Sequence, residues 1–159
     1  MTAEFWIRTG AVTCGLSVAL GAMAAHGLEH VFVSKYAAAK PRLVAGVETP
    51  LAAKYLADFK TGARYQMYHG LALIVCGLLI RTENRRGLNW AASCFLLGTV
   101  LFSGGLYLYT LTGQVFWGAG PPPLGGTLFI VGWIVLAANV PRSNFTSANR
   151  AEPGGGASA

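Results

Sequence analysis

The sequence predicts an all-α integral membrane protein, a bundle of four spanning helices with an amphipathic helix before the second span. Three observations carry that prediction. Hydrophobic residues make up 53% of the 159 residues and charged residues only 11%, against about 25% charged in a soluble domain. Six acids and twelve bases are too few to clothe the large surface of a small soluble protein. Four apolar runs follow one another along the chain, and each carries small residues at helical spacing.

The runs cover about residues 5–26, 65–81, 88–113 and 121–140. At 1.5 Å per residue, about 20 residues cross a hydrocarbon layer of roughly 30 Å. The first, third and fourth runs meet that length, and the second meets it with the helical pattern upstream of it. The first run also has the look of a secretory leader, with Arg8 near its start and Ala22-Met23-Ala24 near its end. Glu4 speaks against a leader.

Residues 27–64 connect the first two runs. The part up to Gly46 reads as irregular, with one short helical turn at Ala37–Ala39. Thr49 reads as a helix N-cap, followed by Pro50 at the first helical position. Beyond it, Leu51, Tyr55, Phe59 and Ala63 share one face, and Lys54, Asp58 and Thr61 another. This segment reads either as an interfacial amphipathic helix or as an extension of the second span. Residues 141–159, rich in Gly, Ser, Asn and Pro, read as a disordered tail.

Lipid gives helices no hydrophobic reason to associate, so small residues must bring the backbones together. The candidate stripes are Ala11, Gly15, Ala19 and Ala22 in the first span, and Gly62, Gln66, Gly70 and Gly77 in the second. In the third they are Cys94, Gly98 and Gly105, and in the fourth Gly125, Gly132 and Asn139 at intervals of seven. Trp6, Trp90, Trp117 and either Tyr107 or Tyr109 read as an interfacial aromatic belt.

Bases divide six and six between the two sides of a four-span topology. The close set Arg81, Arg85 and Arg86 in a short connector, and the lack of any base in 114–120, favour both termini in the cytoplasm of a bacterial inner membrane.

One end of the bundle collects polar side chains: His26, Arg64, Tyr65, Gln66, His69 and Tyr107. An ionisable residue at the depth of His69 is a functional candidate by default, and the competing reading is a histidine bonded to a neighbouring helix. Haem or metal ligation by His26 and His69 lacks an accompanying carboxylate. Proton transport lacks acids within the runs. Cys14, Cys76 and Cys94 form no CxxC pair. No Ser-His-Asp set, phosphate-binding loop or carboxylate pair is present. The sequence therefore suggests no catalytic residue, metal or cofactor. Its expected partners are lipid, other membrane subunits or further copies of itself, and the bases at span ends suit anionic headgroups better than nucleic acid.

Four segments carry a family resemblance. They are Gly21-Ala-Met-Ala-Ala-His-Gly-Leu28; Phe59-Lys-Thr-Gly-Ala-Arg-Tyr-Gln-Met-Tyr-His69; Phe102-Ser-Gly-Gly-Leu-Tyr-Leu108 with Leu111-Thr-Gly113; and Pro123-Leu-Gly-Gly126 with Gly132-Trp133. In order and spacing they resemble the membrane family called domain of unknown function 423, which includes the animal transmembrane protein 256. Ala24 stands where that family usually has glycine. The resemblance implies a four-span fold with an uncleaved first span. It marks residues 31–50 as an insertion and 141–159 as an addition, and it implies no reaction. The leading expectation is a non-enzymatic accessory or packing subunit, or a lipid-interacting element. The second is a protein that binds or transports a small molecule, quinone or solute.

Overall fold

In a computed structural model that describes residues 1–83 and 86–140, six helices and one hairpin follow in order. They are α1 (Ala3–His26), α2 (Leu28–Lys35), β1 (Arg42–Val44), β2 (Val47–Thr49), α3 (Leu51–Thr82), α4 (Arg86–Thr112), α5 (Val115–Ala119) and α6 (Pro121–Asn139). The expected tail and Arg85 lie outside the described residues. Four segments are long and apolar enough to cross a membrane: α1, α3, α4 and α5–α6 together.

The helix ends follow local chemistry. The Thr2 side chain accepts from the Phe5 N–H at 3.3 Å and caps α1. Gly113, at φ 77°, ends α4 with its N–H on the Tyr109 carbonyl. That left-handed conformation suits glycine. Three prolines open α6, where a missing N–H costs nothing.

The spans pack in chain order, α1 on α3, α3 on α4 and α4 on α6, so α1 and α6 form the two flanks. Glycines set these approaches. A Cβ on Gly70 would lie 2.7 Å from Cys14 Sγ, and one on Gly77 2.6 Å from the Ile7 side chain. At the α4–α6 seam, a Cβ on Gly125 would lie 2.5 Å from the Phe102 nitrogen, and one on Gly98 or Gly132 would strike Phe129 or Phe95. Gly105 receives Pro121 and Pro122.

Gly15 is the exception among the seven packing glycines expected from the sequence. A Cβ there would meet nothing within 4 Å, and Ala11, Ala19 and Ala22 are exposed with it. The face of α1 that packs is Ala3, Ile7, Gly10, Cys14 and Ser17. It lies one residue, about 100° of rotation, from the expected stripe.

The connector is more ordered than its sequence suggests. Leu28 and Phe32, one turn apart on α2, are buried against Tyr55 and Phe59 of α3. Residues 42–49 form an antiparallel hairpin whose two central residues, Ala45 and Gly46, both have positive φ, as a type I′ turn requires. Thr49 belongs to β2, and Pro50 is the N-cap of α3. Because α3 runs unbroken from 51 to 82, residues 51–64 extend the second span. Their apolar face is covered by protein, with Tyr55 and Phe59 fully buried. At 1.5 Å per residue α3 is about 48 Å long, more than a hydrocarbon layer of about 30 Å requires.

Three consecutive residues ending α4 are held by the connector. The Lys35 ammonium donates to the Leu111 carbonyl, Tyr36 OH to the Thr110 carbonyl at 2.8 Å, and Arg42 to Tyr109 OH at 2.9 Å. Burial, and then neighbouring Tyr109, push the Tyr36 phenol above its ordinary value, which keeps it a donor. Two of the carbonyls that a helix C-terminus leaves unpaired, those of Thr110 and Leu111, are thereby satisfied.

Candidate functional site

The expected polar cluster separates into two groups and two outlying residues. His26 closes α1, exposed to solvent, and Arg64 is exposed on α3. Among the described residues neither side chain makes a hydrogen bond, so they join neither group.

The first group ties three spans together. Gln66, only 6% exposed, donates from Nε2 to the Thr13 carbonyl of α1 at 3.0 Å, and its Oε1 accepts from Tyr107 OH of α4 at 2.9 Å. Tyr107 lies over Gly62, where a Cβ would come within 2.9 Å of its ring. Just above, the adjacent carbonyls of Gly62 and Ala63 accept from Ser103 of α4 at 2.8 Å and Ser17 of α1 at 2.7 Å. These bonds fix the register of α1, α3 and α4, where lipid could not satisfy the polar atoms. Ser17 escaped the sequence reading because it is a small residue within an apolar run, and Ser103 entered it only within the third motif segment.

The second group is aromatic and centres on His69, 3% exposed. Its Nδ1 is 2.8 Å from the Tyr65 carbonyl, so that nitrogen carries the hydrogen. Its Nε2 accepts from the Trp133 indole at 3.3 Å. Both nitrogens are thus engaged within the protein. The ring lies flat on Phe129, with centroids 3.4 Å apart and planes within 4°. Tyr65 packs on Phe102 at 4.8 Å, and Phe95 on Trp133 at 4.9 Å. Phe102 and Trp133 entered the sequence reading only within motif segments, and Phe129 not at all, because an aromatic ring in an apolar run reads as core or belt.

Except for Phe95, these rings wall a groove of about 670 Å³ between α3 and α6, with Phe102 of α4 at its floor, open sideways. Tyr65, Tyr68 and Thr127 bring hydroxyls to its upper part, and Ile130 and Trp133 lie one and two turns deeper along α6. The size suits a small-molecule or lipid-chain site. Of the expected belt, Trp90 is 70% exposed, but Trp6 is fully buried, with its indole N–H on Asn89 at 2.9 Å. Tyr107 and Tyr109 also turn inward, because each hydroxyl has a protein partner. Among the described residues no three His, Cys, Asp or Glu side chains converge on a metal site. The three cysteines are free.

Four apolar helices, glycine seams and a side groove define a small multi-pass membrane protein. The chain belongs to the family described as "Protein of unknown function (DUF423)", whose profile matches residues 20–126. It is similar to a UPF0382 membrane protein of Staphylococcus epidermidis, 38% identical over 133 residues, covering 84% of this chain and 92% of the relative. Others are a UPF0382 membrane protein of Haemophilus influenzae, 37% identical over 76% of this chain and 80% of the relative, and UPF0382 membrane protein YwdK of Bacillus subtilis, 36% identical over 84% and 93%. No solved structure matches the chain. The family resemblance of the four motifs therefore holds, and the relatives carry no enzyme name.

Proposed function

We propose that this protein is a non-enzymatic, lipid-interacting element of a bacterial inner membrane, and that the groove between α3 and α6 holds the hydrocarbon chain of a membrane amphiphile. One observation carries this reading: an aromatic-walled groove of about 670 Å³ opens on the side of the spans, where lipid chains lie. His69 contributes a ring face and no free nitrogen, which suits an apolar occupant and disfavours catalysis. Both termini face the cytoplasm on this reading, so the connector end and the hydroxyl-bearing part of the groove face outward.

Gly126 supplies the test. It lines the groove, and a Cβ there would meet only Phe102 ring carbons, at 3.9 Å and 4.0 Å. Gly126→Leu should fill the groove without prising the helices apart. Gly104→Leu, where a Cβ meets nothing, is the control. Native mass spectrometry of detergent-purified protein should show lipid retained by the wild type and by the control, and lost from Gly126→Leu. Equal retention by all three would defeat the reading.

A second reading, an accessory subunit, draws on the outward Ala11, Gly15, Ala19 and Ala22 face of α1. A small-residue face turned to lipid is suited to a partner helix.

A further inference from the structure

A second cavity, of about 300 Å³, lies at the connector end, framed by Arg42 of β1, Lys54 and Asp58 of α3, and Leu106 and Tyr109 of α4. We propose that this cavity seats the anionic headgroup, a phosphate or carboxylate, of the amphiphile whose chain lies in the groove. The proposal rests on the groove reading and adds the chemical class of the ligand.

Position supports it first. On α3, residues 54, 58, 61, 65 and 68 recur at intervals of four and three, which places them on one face. The first two line the upper cavity, and the last two line the groove. On α4, Leu106 of the upper cavity lies one turn above Phe102 of the groove. Asp58 and Tyr65 are about 10 Å apart along the axis at 1.5 Å per residue, the length of a headgroup and glycerol above a chain. The upper cavity also lies on residues 51–64 of α3, outside the apolar run 65–81.

Charge supports it next. Two cations face one carboxylate. Lys54 pairs with Asp58, whereas Arg42 has no carboxylate partner among the described residues and spends one donor on Tyr109 OH. A guanidinium has five N–H donors, and its planar fork matches phosphate and carboxylate oxygens. The hairpin, by carrying Arg42, brings the one cation that α3 and α4 do not supply.

The test titrates the purified full chain with phosphatidylglycerol and with phosphatidylcholine of the same chains, read by native mass spectrometry. The wild type should prefer the anionic lipid about tenfold, in line with a charge-assisted contact. Arg42→Gln should reduce that preference to near unity and leave phosphatidylcholine binding unchanged. Lys54→Gln, which leaves the hairpin untouched, should weaken it in the same direction. An undiminished preference in both variants, or no preference in the wild type, overturns the headgroup site and leaves the groove standing. Loss of both lipids in Gly126→Leu supports the joined site. If the preference needs Arg42 but survives Gly126→Leu, head and chain are not bound together and the proposal fails. Full competition by millimolar inorganic phosphate would identify a free anion as the ligand and also overturn it.

Discussion

Gln66 is the side chain whose removal the structure makes most informative. Gln66→Leu keeps nearly the same volume but deletes two interhelical hydrogen bonds, to Thr13 O and from Tyr107 OH. Such bonds are worth about 0.6 kcal/mol each in membrane bundles. The Thr13 carbonyl keeps its bond within α1, whereas the Tyr107 hydroxyl is stranded, at about 1 kcal/mol. The expected loss is about 2 kcal/mol. Tyr107→Phe removes one bond and leaves Gln66 Oε1 without its donor, for about 1.6 kcal/mol. The double variant strands neither group, so it should cost little more than the two lost bonds, about 1.2 kcal/mol. The single losses sum to nearly 4 kcal/mol, so the cycle should show a coupling of about 2.5 kcal/mol. Equilibrium unfolding in mixed micelles, followed by far-UV circular dichroism along a titration with dodecyl sulfate, measures all four states. Losses that add to within about 0.4 kcal/mol would mean that Gln66 and Tyr107 do not act as one unit, and the account of the three-span tie would fall.

Three further predictions concern α1 and orientation. Gly70→Leu should separate α1 from α3, since a Cβ there lies 2.7 Å from Cys14 Sγ and 3.2 Å from the Gly10 carbonyl. Gly15→Leu, into open space, should leave unfolding within about 0.5 kcal/mol of wild type while weakening any cross-linked complex that uses the outer face of α1. An activity reporter fused after Ala159 should read as cytoplasmic, and an exported signal would reverse the orientation.

The span count was legible because it depends only on length and apolarity, which 11% charge content leaves little room to obscure. The glycine seams of α3, α4 and α6 were legible because each repeats at an interval of seven, Gly70 with Gly77, Gly98 with Gly105 and Gly125 with Gly132, whereas Gly104 and Gly126 lie off them. On α1 the small residues occupy two neighbouring faces, Gly10 on one and Ala11 and Gly15 on the other, 100° apart. Composition cannot choose between them, and the partner does. Gly70, Gly77 and Ile74 of α3 fit against Gly10 and Ile7, and Ser17 finds the Ala63 carbonyl. The connector was illegible because its order is tertiary. Leu28 and Phe32 make α2 a helix worth forming only once Tyr55 and Phe59 are there to cover them. The hairpin turns through Ala45, a poor left-handed residue, where the sequence offers no Asn-Gly signal.

The same distinction explains how the six polar candidates sort themselves. In a membrane, a polar side chain between helices must find its partner in protein. Gln66, Tyr107 and His69 have done so, at distances between 2.8 and 3.3 Å. Their depth marked them as functional candidates, but satisfied bonds make Gln66 and Tyr107 positioning residues and turn His69 into part of a wall. Among the residues lining the groove and the cavity above it, those left with donors to spend include the Tyr65 and Tyr68 hydroxyls and, above them, Arg42. Arg42 comes from a hairpin that no helical pattern announces. Recognition by this fold would therefore draw its shape from the spans and its charge from the connector. Substitutions in the connector should alter which lipid is held, and substitutions in the groove should alter whether any is held.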